Sequence, residues 1–121
     1  MQESKLLLSL ALLGSSLYAQ PVGALLLEGN CITCHHYTKD ISAPSLTRVT
    51  QHYKEVYSSK KLFVDALSDF VKKPQEQHSI MLNDVKTYSL MPELAFERST
   101  LQLIAEYLYD NAEDLTPKTL P

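Results

Sequence analysis

Cys31-Ile32-Thr33-Cys34-His35 is the stretch on which the reading of this chain turns. A spacing of three residues puts both sulfurs on one side of a helical turn. His35 follows at once, so its imidazole can rise perpendicular to a flat ligand that the two sulfurs hold. Haem offers such a ligand: two vinyl groups to form thioethers and an iron for the imidazole to bind. Four histidines in 121 residues would put one at this position by chance in roughly 3% of cases. Two cysteines and one histidine packed this closely lack the second half-site of a usual zinc centre. A dithiol–disulfide pair with a coincidental histidine stays open as the bland alternative.

Upstream of the motif, residues 1–19 have the layout of an export signal. Lys5 and the amino terminus give a weakly positive start, partly offset by Glu3. Leu6 to Leu13 is an apolar run too short to cross a bilayer as a stable helix. Small Ala19 precedes the expected cut ahead of Gln20, and an uncleaved amino-terminal anchor is the alternative. Cleavage leaves residues 20–121, with both cysteines in the mature part. No later segment is apolar enough to span a membrane, so no stable insertion is expected after cleavage. The expected location is outside the cytoplasm, in the periplasm of a Gram-negative cell.

Downstream, the pattern is helical. The first helix is expected from about Val22 to Gly29, with Gly29 able to end it. A loop from Tyr37 to Ser45 carries Asp40, Ser42 and Pro44. A second helix is expected over Leu46 to Tyr57, with Leu46, Val49, Tyr53, Val56 and Tyr57 on one face. Ser58 or Ser59 can cap a third, whose stripe is Leu62, Phe63, Ala66, Leu67, Phe70 and Val71 and which Pro74 stops. One helical turn is expected near Leu82 to Tyr88. The last helix opens on Ser99-Thr100-Leu101-Gln102, a capping-box pattern, and runs to about Asn111. Leu101, Ile104, Ala105 and Leu108 form its apolar face, with Leu103 and Tyr107 at the border. Residues 20–112 therefore read as one domain, with 113–121 as a tail expected to fray from Asp114 onward.

With only Gly23 and Gly29 after the signal, a β-rich fold is disfavoured, because tight hairpins draw on glycine. The expected class is all-α, four to five short helices, and so short a chain has a thin core that a large apolar cofactor would complete. At 45% hydrophobic and 21% charged, the composition is that of a folded soluble protein. The net charge of −3 is spread along the chain, with no basic block to hold nucleic acid. Haem propionates would add to this acidity and favour partners with a basic docking face, which speeds encounter more than it tightens binding.

Taken together, the chain resembles the class I monohaem cytochromes c over nearly all of residues 20–112. Gly23 lies eight residues before Cys31 and Leu27 four before it, and Ile104 and Tyr107 match the aliphatic–aromatic pair of that family's last helix. A small residue at such a crossing lets two backbones approach closely. Ala43-Pro44-Ser45-Leu46 looks like the segment whose carbonyl orients the histidine and makes it a better ligand. Ser89-Leu90-Met91-Pro92-Glu93 resembles the loop that supplies the distal methionine, which Pro92 would stiffen.

The resemblance implies one covalent haem c on Cys31 and Cys34, with His35 as the proximal iron ligand and Met91 as the distal one; Met81 and His78 are the alternatives. His36 and His52 read as surface residues. Two departures stand out: Tyr88-Ser89-Leu90 replaces the glycine many relatives carry before the methionine, and tryptophan is absent. Arg48, Tyr53 and Tyr57 are the candidates to take over an indole's bond to a propionate. The implied function is electron carriage without bond-making on a substrate, so no enzyme activity is expected. Implied partners are a quinol-oxidising complex upstream and a terminal oxidase, peroxidase or other reductase downstream. Three other readings stay in view: a haem enzyme or gas sensor with an open axial position, a haem subunit of a larger respiratory complex, and a thiol–disulfide protein without haem.

Overall fold

The computed structural model describes residues 20–118, so the export signal expected over 1–19 lies outside the described residues, as do 119–121. Five α-helices follow in order: α1 (Val22–Asn30), α2 (Leu46–Val56), α3 (Lys60–Lys72), α4 (Leu82–Tyr88) and α5 (Arg98–Asp110). One 3-10 turn, Glu76–His78, precedes α4, and the described residues contain no strand. None of the described helices is long and apolar enough to cross a membrane.

Local chemistry sets most of the boundaries. Ser45 caps α2 by accepting the Arg48 N–H, and Ser59 caps α3 by accepting the Leu62 N–H. Each such cap contributes about 1 kcal/mol by satisfying a donor that the helix leaves free. Pro74, two residues beyond the end of α3, cannot continue the helix. Two expected signals do not act. Gly29 lies inside α1, and no glycine among the described residues has a positive φ. The capping box at Ser99 is not formed either: α5 starts at Arg98 with Glu97 as N-cap and no side-chain cap. There the helix gains its stability from packing, which outweighs a missing cap.

That packing centres on α5, which lies across both α1 and α3. Gly23 is required at the first crossing. A Cβ there would stand 2.6 Å from Tyr107 Cβ and 2.7 Å from the Leu103 carbonyl oxygen. The second obstacle is backbone, so the helices themselves would have to part. Leu27, Ile104, Tyr107 and Leu108 are buried around this crossing. On the other side Phe63 is fully buried. Its ring meets Tyr53 and Tyr109 edge-on, with centroids 6.1 and 5.3 Å away, an arrangement that aromatic quadrupoles favour.

Three other expectations fail on burial. Leu62, expected on the apolar stripe of α3, is 55% exposed, and Val64 is buried instead. Val56 is 51% exposed, and Thr50 instead occupies the buried face of α2. The tail does not fray at Asp114: Leu115 is 4% exposed and belongs to the core cluster. Beyond it, the Lys118 N–H donates to Glu28 Oε1 at 2.7 Å, which ties the end of the described chain to α1.

Candidate functional site

The turn after α1 holds the cysteine–histidine motif. Cys31 N–H donates to the Leu27 carbonyl at 2.8 Å, and His35 N–H donates to the Cys31 carbonyl at the same distance. The backbone therefore coils through both cysteines as the spacing predicts. Cys31 and Cys34 are both free thiols, the first half-buried and the second exposed. Burial, with Cys34 close by, pushes the Cys31 thiol up to about 11.

His35 is held by the loop that follows. Its Nδ1–H donates to the Pro44 carbonyl oxygen at 2.7 Å, which leaves the lone pair on Nε2. The loop is pinned at several other points. Ser42 Oγ donates to the Cys34 carbonyl, and Leu46 and Thr47 donate their N–H groups to the carbonyls of His36 and Tyr37. His36 accepts the N–H groups of Thr38 and Lys39 through Nδ1, so it shapes this turn instead of merely lying on the surface.

Cys31, Cys34, His35 and Pro44 form one wall of an almost wholly apolar cavity of about 230 Å³, partly open to solvent. Leu27 of α1, Val49 and Tyr53 of α2, Leu67 and Phe70 of α3, and Ile104 and Leu108 of α5 build its floor and sides. The far segment contributes Val85, Leu90, Pro92 and Phe96, together with Met81 and Met91. Both methionines considered as ligands thus reach the cavity. His78 does not line it; the residue is exposed on the 3-10 turn.

Among the propionate candidates, Tyr53 lines the cavity and Tyr57 does not. Burial pushes the Tyr53 hydroxyl well above the ordinary tyrosine range, so it remains a neutral donor. Arg48 is engaged elsewhere, donating to Asp40 through one nitrogen and to Asp84 through another. His52 donates its Nε2–H to the Ile80 carbonyl, 2.9 Å away, and so ties α2 to the residue before Met81. A shallow polar groove of about 610 Å³, flanked by Arg48, His52, Glu55 and Asp84, runs outside this tie.

Two features of the site carried no sequence signal strong enough to single them out. Asp40 was visible only as a loop residue, yet its carboxylate accepts the Ser45 N–H at 2.7 Å. Ser89 has φ 72° and ψ 166°, a region almost reserved for glycine. It is the one non-glycine residue with positive φ among the described residues, and it stands two residues before Met91. The missing glycine before the methionine was the available hint.

Among the described residues, no cluster of three or more His, Cys, Asp or Glu side chains is arranged to hold a metal ion. No family model, curated protein or solved structure matches this chain.

Proposed function

We propose that this protein is an exported electron carrier with one covalently attached haem c and a cytochrome c-like fold. The observation that carries the reading is the histidine clamp. His35 sits directly after the two cysteines on the wall of an apolar cavity, and the Pro44 carbonyl takes its Nδ1 proton. A metal-binding histidine wants this arrangement, because the bond fixes the tautomer and orients the ring.

The residues present fit the group. Cys31 and Cys34 would hold it through thioethers, His35 Nε2 would bind the iron on one side, and Met91 on the other. Haem supplies an iron that alternates between ferrous and ferric states. The chain's own contribution is to set how readily that happens. Apolar walls from α2, α3 and α5 keep water out and disfavour the extra charge of the ferric state. The Met91 thioether and the His35 imidazole as iron ligands would work in the same direction. Two methionines on the cavity wall also favour a filled coordination sphere over an open one. Exposed Cys34 places the attachment edge where a partner can reach it, in a brief and weak encounter. A quinol-oxidising complex as donor, and a terminal oxidase, peroxidase or other reductase as acceptor, are the proposed partners, with the periplasm as the site of action.

The raised thiol of Cys31 speaks against the dithiol reading. Redox-active Cys-x-x-Cys pairs work through a thiolate whose pKa is lowered, and Cys31 is shifted the other way. The test is the visible spectrum of protein exported from cells able to attach haem. The expected result is a low-spin haem spectrum in both oxidation states and no rapid carbon monoxide binding to the reduced form. Rapid binding would replace the carrier with a haem enzyme or gas sensor.

A further inference from the structure

The carbonyl that accepts the His35 proton and the N–H that Asp40 captures belong to one peptide unit, Pro44–Ser45. The Nδ1···O distance and the N···Oδ1 distance are both 2.7 Å. A planar amide transmits polarisation between its two ends, because resonance couples the nitrogen lone pair to the carbonyl. A carboxylate drawing on the N–H makes the carbonyl oxygen more negative and a stronger acceptor.

The chain of contacts continues past Asp40. Its second oxygen, Oδ2, accepts from Arg48, whose other terminal nitrogen donates to Asp84 on α4. The Ser45 N–H, followed by Arg48, holds the Asp40 carboxyl below its ordinary range, so the group is ionised at neutral pH. Arg48 in turn draws charge away from Asp40 and limits what reaches the peptide.

We infer that Asp40 is a positioning residue that sets the electron-donating strength of His35 through the Pro44–Ser45 peptide, with Arg48 as the counterweight. The inference rests on the haem reading of this site. A more strongly donating imidazole stabilises ferric iron, so Asp40 lowers the reduction potential and Arg48 raises it.

The two variants therefore act in opposite directions. Asp40→Asn keeps an oxygen for the Ser45 N–H but removes the charge. It is expected to favour reduction by about threefold to tenfold, the latter being 59 mV for one electron. Arg48→Gln leaves the charge on Asp40 unopposed and is expected to disfavour reduction. Loosening the fold would shift both variants the same way. Asp84→Asn, which removes a charge from the same arginine without touching the peptide, separates this route from charge acting through space.

The deciding readout is the NMR signal of the His35 Nδ1 proton in the full-length reduced protein. It is expected to move upfield in Asp40→Asn, downfield in Arg48→Gln and little in Asp84→Asn. An unmoved proton in Asp40→Asn, or potentials shifted in the same direction by Asp40→Asn and Arg48→Gln, overturns the inference and leaves the carrier reading intact. Absence of haem from the wild-type protein overturns the carrier reading itself, and the visible spectrum reports that separately.

Discussion

The two walls of the cavity are built differently. On the cysteine–histidine side, residues 31–47 are tied by a dense set of short-range bonds: His35 to Pro44, Ser42 to Cys34, Ser45 to Asp40, and Leu46 and Thr47 back to His36 and Tyr37. That wall also rests on buried neighbours, with Leu27, Tyr37, Ser45 and Leu46 all below a tenth exposed. The methionine side is the opposite. No residue from 69 to 100 is buried, and Leu82, Leu90 and Leu94 are among the exposed large apolar side chains. Its ties to the rest are few: Arg48 to Asp84, His52 to Ile80, and Lys72 Nζ to the Phe96 carbonyl. Polypeptide alone fixes the histidine, whereas on the haem reading the methionine wall depends on the group it encloses. Regions with few buried contacts open most easily.

The largest effect expected from this contrast comes from the rigid wall. Replacing both Cys31 and Cys34 with Ser is expected to abolish covalent haem, read as the loss of the added mass in the denatured protein. Met91→Ala should keep that mass and lose the methionine–iron charge-transfer band, gaining carbon monoxide binding in the reduced state. If Met81→Ala alone has that spectroscopic effect, the distal ligand must be reassigned. Amide exchange offers a sharper comparison, with protection across 82–97 expected to fall short of α3 and α5 by about two orders of magnitude or more. Equal protection would remove the distinction between the walls.

Smaller effects test the parts that support each side. Gly23→Ala forces a Cβ against the Leu103 carbonyl and Tyr107 and is expected to cost about 1–3 kcal/mol, read by denaturant unfolding. A neutral result would mean that α1 and α5 can part without loss. Smallest is Ser89→Gly in the methionine loop. Relief of the ε-region backbone should outweigh the added chain entropy and stabilise the protein by about 1 kcal/mol. Destabilisation instead would show that Ser89 adopts another conformation in solution.

Much of the rigid wall was legible in the sequence because its determinants are local. The Cys-x-x-Cys-His order, a proline nine residues after the histidine and a helix starting at Leu46 all act within a short span. The predicted limits of α1, α2 and α3 hold to within one or two residues for the same reason. Gly23 was legible by resemblance, and the physical cause is the 2.7 Å approach to Leu103. What failed depends on tertiary position. Val56 satisfied the helical period yet faces solvent, because α3 and α5 meet α2 on the side that Thr50 and Tyr53 occupy. Leu115 was lost in a polar, proline-bearing tail, although a single buried leucine is enough to dock it. Asp40 could not be read as anything but a loop residue, since its importance lies in which peptide its oxygen reaches.

Covalent haem on Cys31 and Cys34 is decided by the mass of the exported protein after denaturation. The expected result is the mature polypeptide plus one haem, with the haem colour staying on the chain under conditions that extract non-covalent haem. A bare polypeptide mass, reduced or two hydrogens lighter for a Cys31–Cys34 disulfide, from cells able to attach haem would contradict it.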